Sequence, residues 1–381
     1  MNGRREFIFN AAMAGAGAML GGCRSMSTAG TAPALAGDFA WGVLLHLGSN
    51  MWGDWTPDGK YPTSIVEERE MFPNPKPRKN GSYPGVVRDY LGADEKVWTD
   101  VTGEMRKEGM NLVMIDVGEA YAYPSHPELW VKGSWDADKL RGELNRLRGM
   151  GLEPVPKLNF SAGHDIWLRQ YHYMTSTPKY YEVVADLIRD TCEVFDSPRY
   201  FHLGFDEEVF VAVKNRSMAV MRQRDLWWKD LNFCIGEVER HGARAMIWSD
   251  KICGGRKEFL AKMSKGVLQM PWYYGTGFTE ANCKWDESFE DKQDWSIQRN
   301  LVASIGELAD AGFDMIPCTS NWSSDAASEA MLSYCKKRVD SKQLKGFLSA
   351  PWFMTLECQR KKLTEAVQLF GAAKRKVYPV G

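Results

Sequence analysis

Eight short apolar runs, each followed by an amphipathic stretch, constrain the fold of this 381-residue chain more than any other feature. Strands are expected at 39–47, 111–117, 152–159, 199–205, 243–249, 266–273, 313–319 and 345–352. Helices are expected at 97–109, 137–149, 178–195, 222–241, 256–264, 296–311, 324–339 and 357–376. Regular alternation of this kind is typical of a parallel sheet, and eight units predict a (β/α)8 TIM barrel in a single α/β domain.

An open, doubly wound sheet is the alternative for the same alternation. Dinucleotide-binding sheets of that type carry a glycine-rich phosphate loop after the first strand, and none follows residues 39–47. The first connection is instead unusually long, at about 50 to 96, and it contains the proline-rich segment Phe72–Pro77. Loops of this length usually serve function or are disordered, so we expect this one to cover the mouth of the barrel as part of a substrate groove.

The N-terminal segment indicates export rather than participation in the fold. Arg4 and Arg5 precede the apolar run 11–20, as in a twin-arginine signal, and that run is too short to span a bilayer. The small residues that end in Cys23 resemble a lipoprotein cleavage box, although a plain secretory signal with an incidental cysteine is the alternative. The expected division is a signal peptide over 1–22, a flexible tether over 23–37 that begins with lipidated Cys23, and the (β/α)8 barrel over 38–381.

This division predicts where the protein works and what it meets. The twin-arginine export machinery would move the chain to the periplasm or the cell surface, and the Cys23 lipid would be its contact with the membrane. The net charge is −1 and no basic stretch occurs, which argues against a nucleic-acid partner. Besides Cys23 there are seven cysteines without a CxxC pair, so a disulfide framework is not expected.

The segment Tyr200–Glu208 contains the strongest candidate for a functional site. It is an apolar strand that ends in carboxylates, and alternation along a strand would place His202, Gly204 and Asp206 on one face. Glu207 follows where the strand should give way to a loop. Catalytic residues of parallel barrels lie at the carboxyl ends of the strands, although a salt-bridged strand end would give the same pattern.

Aromatic and polar residues follow several other predicted strands, and 15 tryptophans make the composition unusual. The apolar C–H face of a sugar ring packs well on an indole, while carboxylates and amides bind its hydroxyls. Each tryptophan taken alone is better explained as core packing, but several at one end of a barrel favour a carbohydrate site. The predicted substrate-binding residues are His202, Asn159, His164, Trp248, Asp250, Trp272, Tyr273, Trp322 and Trp352.

Three stretches resemble one enzyme family. Residues 202–207 (His-Leu-Gly-Phe-Asp-Glu) are similar to the His-x-Gly-x-Asp-Glu motif of family 20 glycoside hydrolases, the β-N-acetylhexosaminidases. Residues 155–164 resemble the third strand of that family, which ends in Pro-Gly-His, and residues 246–250 resemble its tryptophan-bearing fifth strand. Trp352 stands where the eighth strand of the family carries another tryptophan. The resemblance extends over roughly 38 to 376 and implies the same barrel.

The resemblance implies roles for two adjacent carboxyl groups. Glu207 would protonate the glycosidic oxygen and then serve as the base for water, while Asp206 would hold the acetamido group of the substrate. The acetamido carbonyl would attack the anomeric carbon, so no enzyme nucleophile, metal or cofactor is required. A charged Asp206 and surrounding indoles would disfavour ionisation of Glu207 and raise its pKa, as a general acid requires.

The chain also departs from the family pattern. Asn159 replaces an aspartate, the first strand (Leu45–Asn50) lacks the sugar-binding arginine, and Met354 replaces an acid after the eighth strand. In the family the aspartate supports the histidine of the motif, and the arginine and the acid help to grip the hydroxyls of a terminal sugar. The departures therefore imply altered or internal-chain specificity, or loss of activity.

The leading hypothesis is an exported, β-N-acetylhexosaminidase-like glycoside hydrolase that cleaves 2-acetamido sugar glycosides in an oligosaccharide or glycan. The first alternative is a non-catalytic, glycan-binding surface lipoprotein. The second is a metal-assisted sugar isomerase or lyase, with ligands drawn from Asp116, Glu119, Asp206, Glu208 and Asp250.

Overall fold

The structure is a computed structural model, and it describes residues 39–54, 60–71, 87–214, 216–279, 282–283 and 296–379. The predicted signal peptide, Cys23 and the tether lie outside these residues, as does the segment Phe72–Pro77. None of the described helices is long and apolar enough to cross a membrane.

Strands and helices alternate through the described chain. The strands are β1 (Ala40–His46), β2 (Leu112–Asp116), β3 (Glu153–Lys157), β4 (Tyr200–His202), β5 (Arg244–Trp248), β6 (Leu268–Met270), β7 (Cys318–Thr319) and β8 (Gly346–Ser349). The helices are α1 (Ile65–Met71), α2 (Glu95–Lys107), α3 (Ala137–Gly149), α4 (Pro178–Val194), α5 (Phe210–Val213), α6 (Asp225–Arg240), α7 (Arg256–Lys262), α8 (Ser296–Asp310), α9 (Ala327–Arg338) and α10 (Arg360–Val377).

The strands form one parallel sheet that closes on itself. Neighbouring strands follow the order β6-β5-β4-β3-β2-β1-β8-β7. The remaining seam joins β6 to β7 through backbone hydrogen bonds: Ile316 N–H donates to the Gln269 carbonyl at 3.0 Å and Cys318 N–H to the Pro271 carbonyl at 2.8 Å. The predicted single-domain (β/α)8 TIM barrel is therefore confirmed.

The strands end earlier than the sequence pattern indicates. β4 was expected over 199–205 but stops at His202, because Gly204 and Phe205 take left-handed backbone angles, with φ of 77° and 64°. Regular strand geometry cannot continue through such residues, although the Gly204 carbonyl still accepts the Trp248 N–H of β5 at 3.1 Å. Residues 203–208 are consequently a shaped loop rather than the end of a strand.

The carboxyl ends of β1 to β4 carry a layer of ionisable side chains. His46, Asp116, Lys157 and His202 are paired in register across these four strands, and all four are buried. Each lies two residues beyond a barrel-interior residue of its own strand, Leu44, Met114, Val155 or Tyr200, and therefore on the same face of that strand. Lys157 Nζ donates to Asp116 Oδ2 at 2.6 Å, and His46 Nδ1 lies 3.2 Å from the same oxygen. We call these four residues the polar layer.

Candidate active site

Asp206 and Glu207 reach the mouth of the barrel through an unusual turn after β4. Glu207 has a φ of 53°, a conformation that costs energy for a non-glycine residue and that clusters at functional sites. A Cβ on Gly204 would lie 2.0 Å from Asn159 Oδ1, so only glycine fits there. The expectation that strand alternation would aim Asp206 was therefore wrong, although both carboxyl groups do arrive at the carboxyl end of the barrel.

Asp206 lies in a dense hydrogen-bond network. Asn159 Nδ2 donates to Asp206 Oδ1 at 3.0 Å, and Ser161 Oγ lies 3.0 Å from the same oxygen. The Ser161 backbone N–H donates to Asn159 Oδ1, which fixes the orientation of the amide. Burial alone would raise the pKa of Asp206, but the charges of His164 and Lys157 and these hydrogen bonds hold it below its usual range. Asp206 is therefore ionised.

His164 stands between the two carboxyl groups. Its Nδ1 lies 3.5 Å from Asp206 Oδ1 and its Nε2 lies 3.6 Å from Glu207 Oε2. Burial would lower the pKa of His164, but the two carboxylates raise it above its ordinary value. Desolvation against the cleft wall and the charge of Asp206 raise the pKa of Glu207, whose side chain remains 45% exposed. The pair thus combines an ionised group with one that retains a proton more readily.

A third carboxyl group, Asp250, holds Glu207 in place. The Glu207 backbone N–H donates to Asp250 Oδ2 at 2.9 Å, and Trp272 Nε1–H donates to Asp250 Oδ1 at 3.3 Å. Burial and the negative charge of Asp206 raise the pKa of Asp250 to about 7. One side chain therefore fixes both the left-handed backbone of Glu207 and the orientation of an indole.

Indole rings that belong to or follow three strands lie at the carboxyl end of the barrel, and one of them, the predicted substrate contact Trp248, is fully buried. Trp248 packs against Trp352 with ring centroids 5.7 Å apart, and Trp272 stacks on Tyr274 at 5.3 Å. Trp352 Nε1–H donates to Tyr274 Oη at 2.9 Å. From the first loop, Trp52 packs edge-on to His46 of the polar layer. Tyr274 is absent from our predicted site, although its alternation with Trp272 along the chain could have indicated it.

Two predicted substrate-binding residues lie elsewhere. Tyr273 is fully buried between the barrel and its helices, edge-on to Phe278 at 5.1 Å. Trp322 packs in the same helix-facing layer, 5.5 Å from Phe353. Adjacent residues of an extended segment face opposite sides, so the inward position of Trp272 and Tyr274 requires Tyr273 to point outward. The structure does not bring either residue to the carboxyl groups.

His202, another predicted substrate contact, is fully buried under Trp248, with ring centroids 4.5 Å apart. Its Nδ1 accepts the Gly204 N–H at 3.0 Å. Burial and the charge of Lys157 lower the pKa of His202 to about 3, so its ring is neutral. His202 therefore supports the turn that carries Asp206 instead of lining the cleft.

Glu208 belongs to a buried structural network. It forms an ion pair with Arg222 and accepts the Ala162 N–H at 2.9 Å. Arg222 also donates to Asp230 Oδ2 at 2.7 Å and to the Phe160 carbonyl at 2.9 Å. The sequence alone did not indicate Arg222, because its partners come from separate segments. This network ties the loops after β3 and β4 to α6.

The ligand set of the metal-assisted alternative is not assembled. Glu208 is neutralised by Arg222 and Asp116 by Lys157, while Glu119 accepts two backbone N–H groups at 2.7 and 3.0 Å. Among the described residues, one group has the spacing of metal ligands, with the relevant atoms all within 4.8 Å of one another: His164, Asp206 and Glu207. This group consists of the two adjacent carboxyl residues and the histidine that stands between them.

Comparison with known proteins locates this barrel among solved structures. No protein-family model matches the chain, and neither does any curated protein sequence. The N-acetyl-β-hexosaminidase of Streptomyces plicatus superposes with a TM-score of 0.54 at 12% identity, over 87% of this chain and 64% of that one. Dispersin B gives 0.52 at 14% identity, over 74% and 95%. The barrel has the fold of family 20 glycoside hydrolases.

The β-N-acetylhexosaminidase of Bacteroides fragilis is a further structural neighbour, with a TM-score of 0.50 and 14% identity. The match covers 72% of this chain and 62% of that enzyme, so this chain spans less than two thirds of its length. At these identities the likeness is one of fold, and the chemistry has to be argued from the site itself.

Changing Asp250 to Ala should lower kcat about tenfold on the N-acetyl-β-glycosides proposed below as substrates. The change removes the acceptors of the Glu207 N–H and the Trp272 indole, which frees a strained backbone to relax and misplaces the acid. Asp250→Asn keeps one acceptor oxygen and should retain more activity than the alanine variant. Steady-state kinetics at one pH would test the order, and equal activity of Asp250→Ala and wild type would contradict the positioning role.

Proposed function

We propose that the chain is a glycoside hydrolase of the β-N-acetylhexosaminidase type, acting on glycans that contain 2-acetamido sugars. The observation that carries this proposal is the pairing of ionised Asp206 with a proton-retaining Glu207 on either side of His164, next to Asp250 and the indole of Trp272. The fold shared with enzymes of this activity supports it.

The proposed reaction takes place in two steps. First, Glu207 gives its proton to the glycosidic oxygen while the bond from that oxygen to the anomeric carbon breaks, and the acetamido carbonyl oxygen bonds to the same carbon. Water then adds to the anomeric carbon as the acetamido oxygen leaves, and Glu207 takes the proton of the water. Two inversions give overall retention of configuration.

The electrostatics of the site suit these roles. The acetamido nitrogen becomes positively charged in the cyclic intermediate, and an ionised Asp206 would stabilise that charge. The network of Asn159 and Ser161 already holds Asp206 in one orientation, so little reorganisation is required during the reaction. The raised pKa of Glu207 keeps its proton available at a higher pH than an ordinary glutamate would.

The positions that bind the hydroxyls of a terminal sugar in the family differ in this chain, and the difference bears on specificity. Met354, which stands where the family has an acid, has no carboxylate to offer a sugar hydroxyl, and its side chain is fully buried. Trp52 and Trp352 instead pack around His46 at this end of the barrel. We infer that an aromatic surface replaces the charged clamp for a terminal sugar, which favours altered or internal-chain specificity.

The proposed activity can be tested with two matched aryl β-glycosides, one with and one without the 2-acetamido group. Because the attacking oxygen belongs to that group, we expect kcat/KM at least about a hundredfold higher for the acetamido compound. Equal rates would contradict substrate assistance. Binding of glycan without product would favour the glycan-binding alternative, and activity that survives exhaustive chelation would exclude the metal-assisted one.

A further inference from the structure

The segment 207–217, which follows the proposed acid, is anchored at both ends. Glu207 is held by Asp250, and Val209 N–H donates back to the Glu207 carbonyl at 2.7 Å. At the far end, Arg216 Nη2 donates to the Gly163 carbonyl at 2.7 Å and lies 3.3 Å from the Met51 carbonyl. These anchors lie on either side of α5 and connect to the loops that follow β1, β3 and β5.

This segment presents apolar side chains to solvent. Val209 is 55% exposed, and Phe210, at 72%, is the most exposed large hydrophobic residue in the described chain. Val213, three residues on, packs by Gly163: a Cβ on that glycine would lie 4.0 Å from Val213 Cγ1 and 3.7 Å from the Glu207 carbonyl oxygen. Residues three apart share one face of a helical turn, so Phe210 projects from the same side as Val213, nearer in sequence to Glu207.

The inference rests on the proposed function, which indicates what would lie next to Val209 and Phe210. Glu207 donates its proton to the glycosidic oxygen, so the departing sugar must lie against Glu207 and away from the acetamido group held by Asp206. Val209 and Phe210 follow Glu207 by two and three residues, and the Val209 N–H is bonded to the Glu207 carbonyl, so their exposed side chains are close to the proposed acid along the chain. Exposed apolar surface beside a binding cleft often marks a ligand contact.

We propose that Val209 and Phe210 form a platform for the leaving-group sugar of a β-linked acetamido glycan. Their side chains would cover the apolar C–H face of the second sugar unit, which makes the site specific for substrates of at least two sugars. Two residues are far too small a surface for a stable protein partner, which requires roughly 800 Å² from each side. Continuity with Glu207 therefore favours a sugar as the occupant.

The test compares two substrates that share the cleaved sugar: a β-linked N-acetylglucosamine disaccharide and β-N-acetylglucosaminyl fluoride, whose leaving group has no carbon. Phe210→Ala should lower the ratio of their kcat/KM values, disaccharide over fluoride, about five- to tenfold, as loss of a partly buried aromatic contact predicts. Phe210→Trp should restore the ratio. Leu226→Ala, an exposed leucine of α6, serves as the matched control.

An unchanged ratio in Phe210→Ala would overturn the inference, whether both kcat/KM values stay the same or fall by the same factor. If wild type hydrolyses neither substrate, the proposed function fails and the platform fails with it. Sedimentation of wild type and Phe210→Ala distinguishes the remaining occupant, because a dimer that dissociates in the variant would assign the patch to a second copy of the chain. Phe210 is exposed, so its replacement should leave the thermal midpoint nearly unchanged.

Discussion

Glu207→Gln should lower kcat about a thousandfold on N-acetyl-β-glycosides with a poor leaving group. Glutamine fills the same space but has no proton to give, and general acid catalysis is typically worth about 10²–10⁴ in rate. A dinitrophenyl glycoside provides the control, since its leaving group departs without protonation and the variant should cleave it with a much smaller loss. Similar losses on both substrates would show that Glu207 is not the acid.

The same pair of proteins should differ in pH dependence. Activity requires protonated Glu207, so it falls as the pH rises through the Glu207 pKa, which burial and Asp206 raise above the usual carboxyl value. The alkaline limb of kcat/KM should therefore lie at a higher pH than an ordinary glutamate would give. This limb should be missing for Glu207→Gln on the dinitrophenyl substrate. Its persistence would assign it to another group, of which Asp250, with a pKa of about 7, is the first candidate.

Arg222→Met should lower the free energy of unfolding by about 3–5 kcal/mol. Arg222 is fully buried, pairs with Glu208 and Asp230, and donates to Tyr180 Oη at 2.7 Å. Methionine has a similar length but leaves two carboxylates without their cation in a dry environment, and breaking buried pairs typically costs this much. Urea unfolding followed by tryptophan fluorescence would measure the change.

Arg375→Met is the matched control for the buried arginine. Arg375 is 59% exposed and pairs with Glu108, and exposed pairs contribute about 0–1 kcal/mol. A loss below about 1 kcal/mol for both variants would contradict the structural role of Arg222. If Arg222→Met does not fold, Arg222→Lys gives the measurement, because lysine keeps the charge but cannot reach all the partners of the guanidinium.

The barrel could be predicted from the sequence because each strand and helix has its own apolar period, which depends on local residues alone. The carboxyl pair could be predicted because a motif places both groups next to one another. The prediction of which side chains face the barrel interior failed at Tyr273. The regular strand has already ended at Met270, so counting along its residues does not show which way Tyr273 points. The prediction also failed at His202, since burial beneath Trp248 depends on a neighbouring strand.

The network of Arg222 could not have been found in this way. Its carboxylate partners are Glu208, 14 residues earlier, and Asp230, eight residues later, and no short motif links them. The same applies to Asp250, whose contact with the Glu207 backbone depends on a left-handed residue that sequence rules would not assign to glutamate. Both contacts form only because the folded barrel brings separate segments of the chain together.

Barrel interiors are usually filled with branched aliphatic side chains, but here four adjacent strands finish in titratable groups. Loss of Lys157 or Asp116 alone would leave the other charge buried without its partner, whereas replacement of both by uncharged residues of similar size would not. Substitutions at Lys157 and Asp116 are consequently expected to occur together. Relatives of this chain should carry the lysine and the aspartate together or lack both.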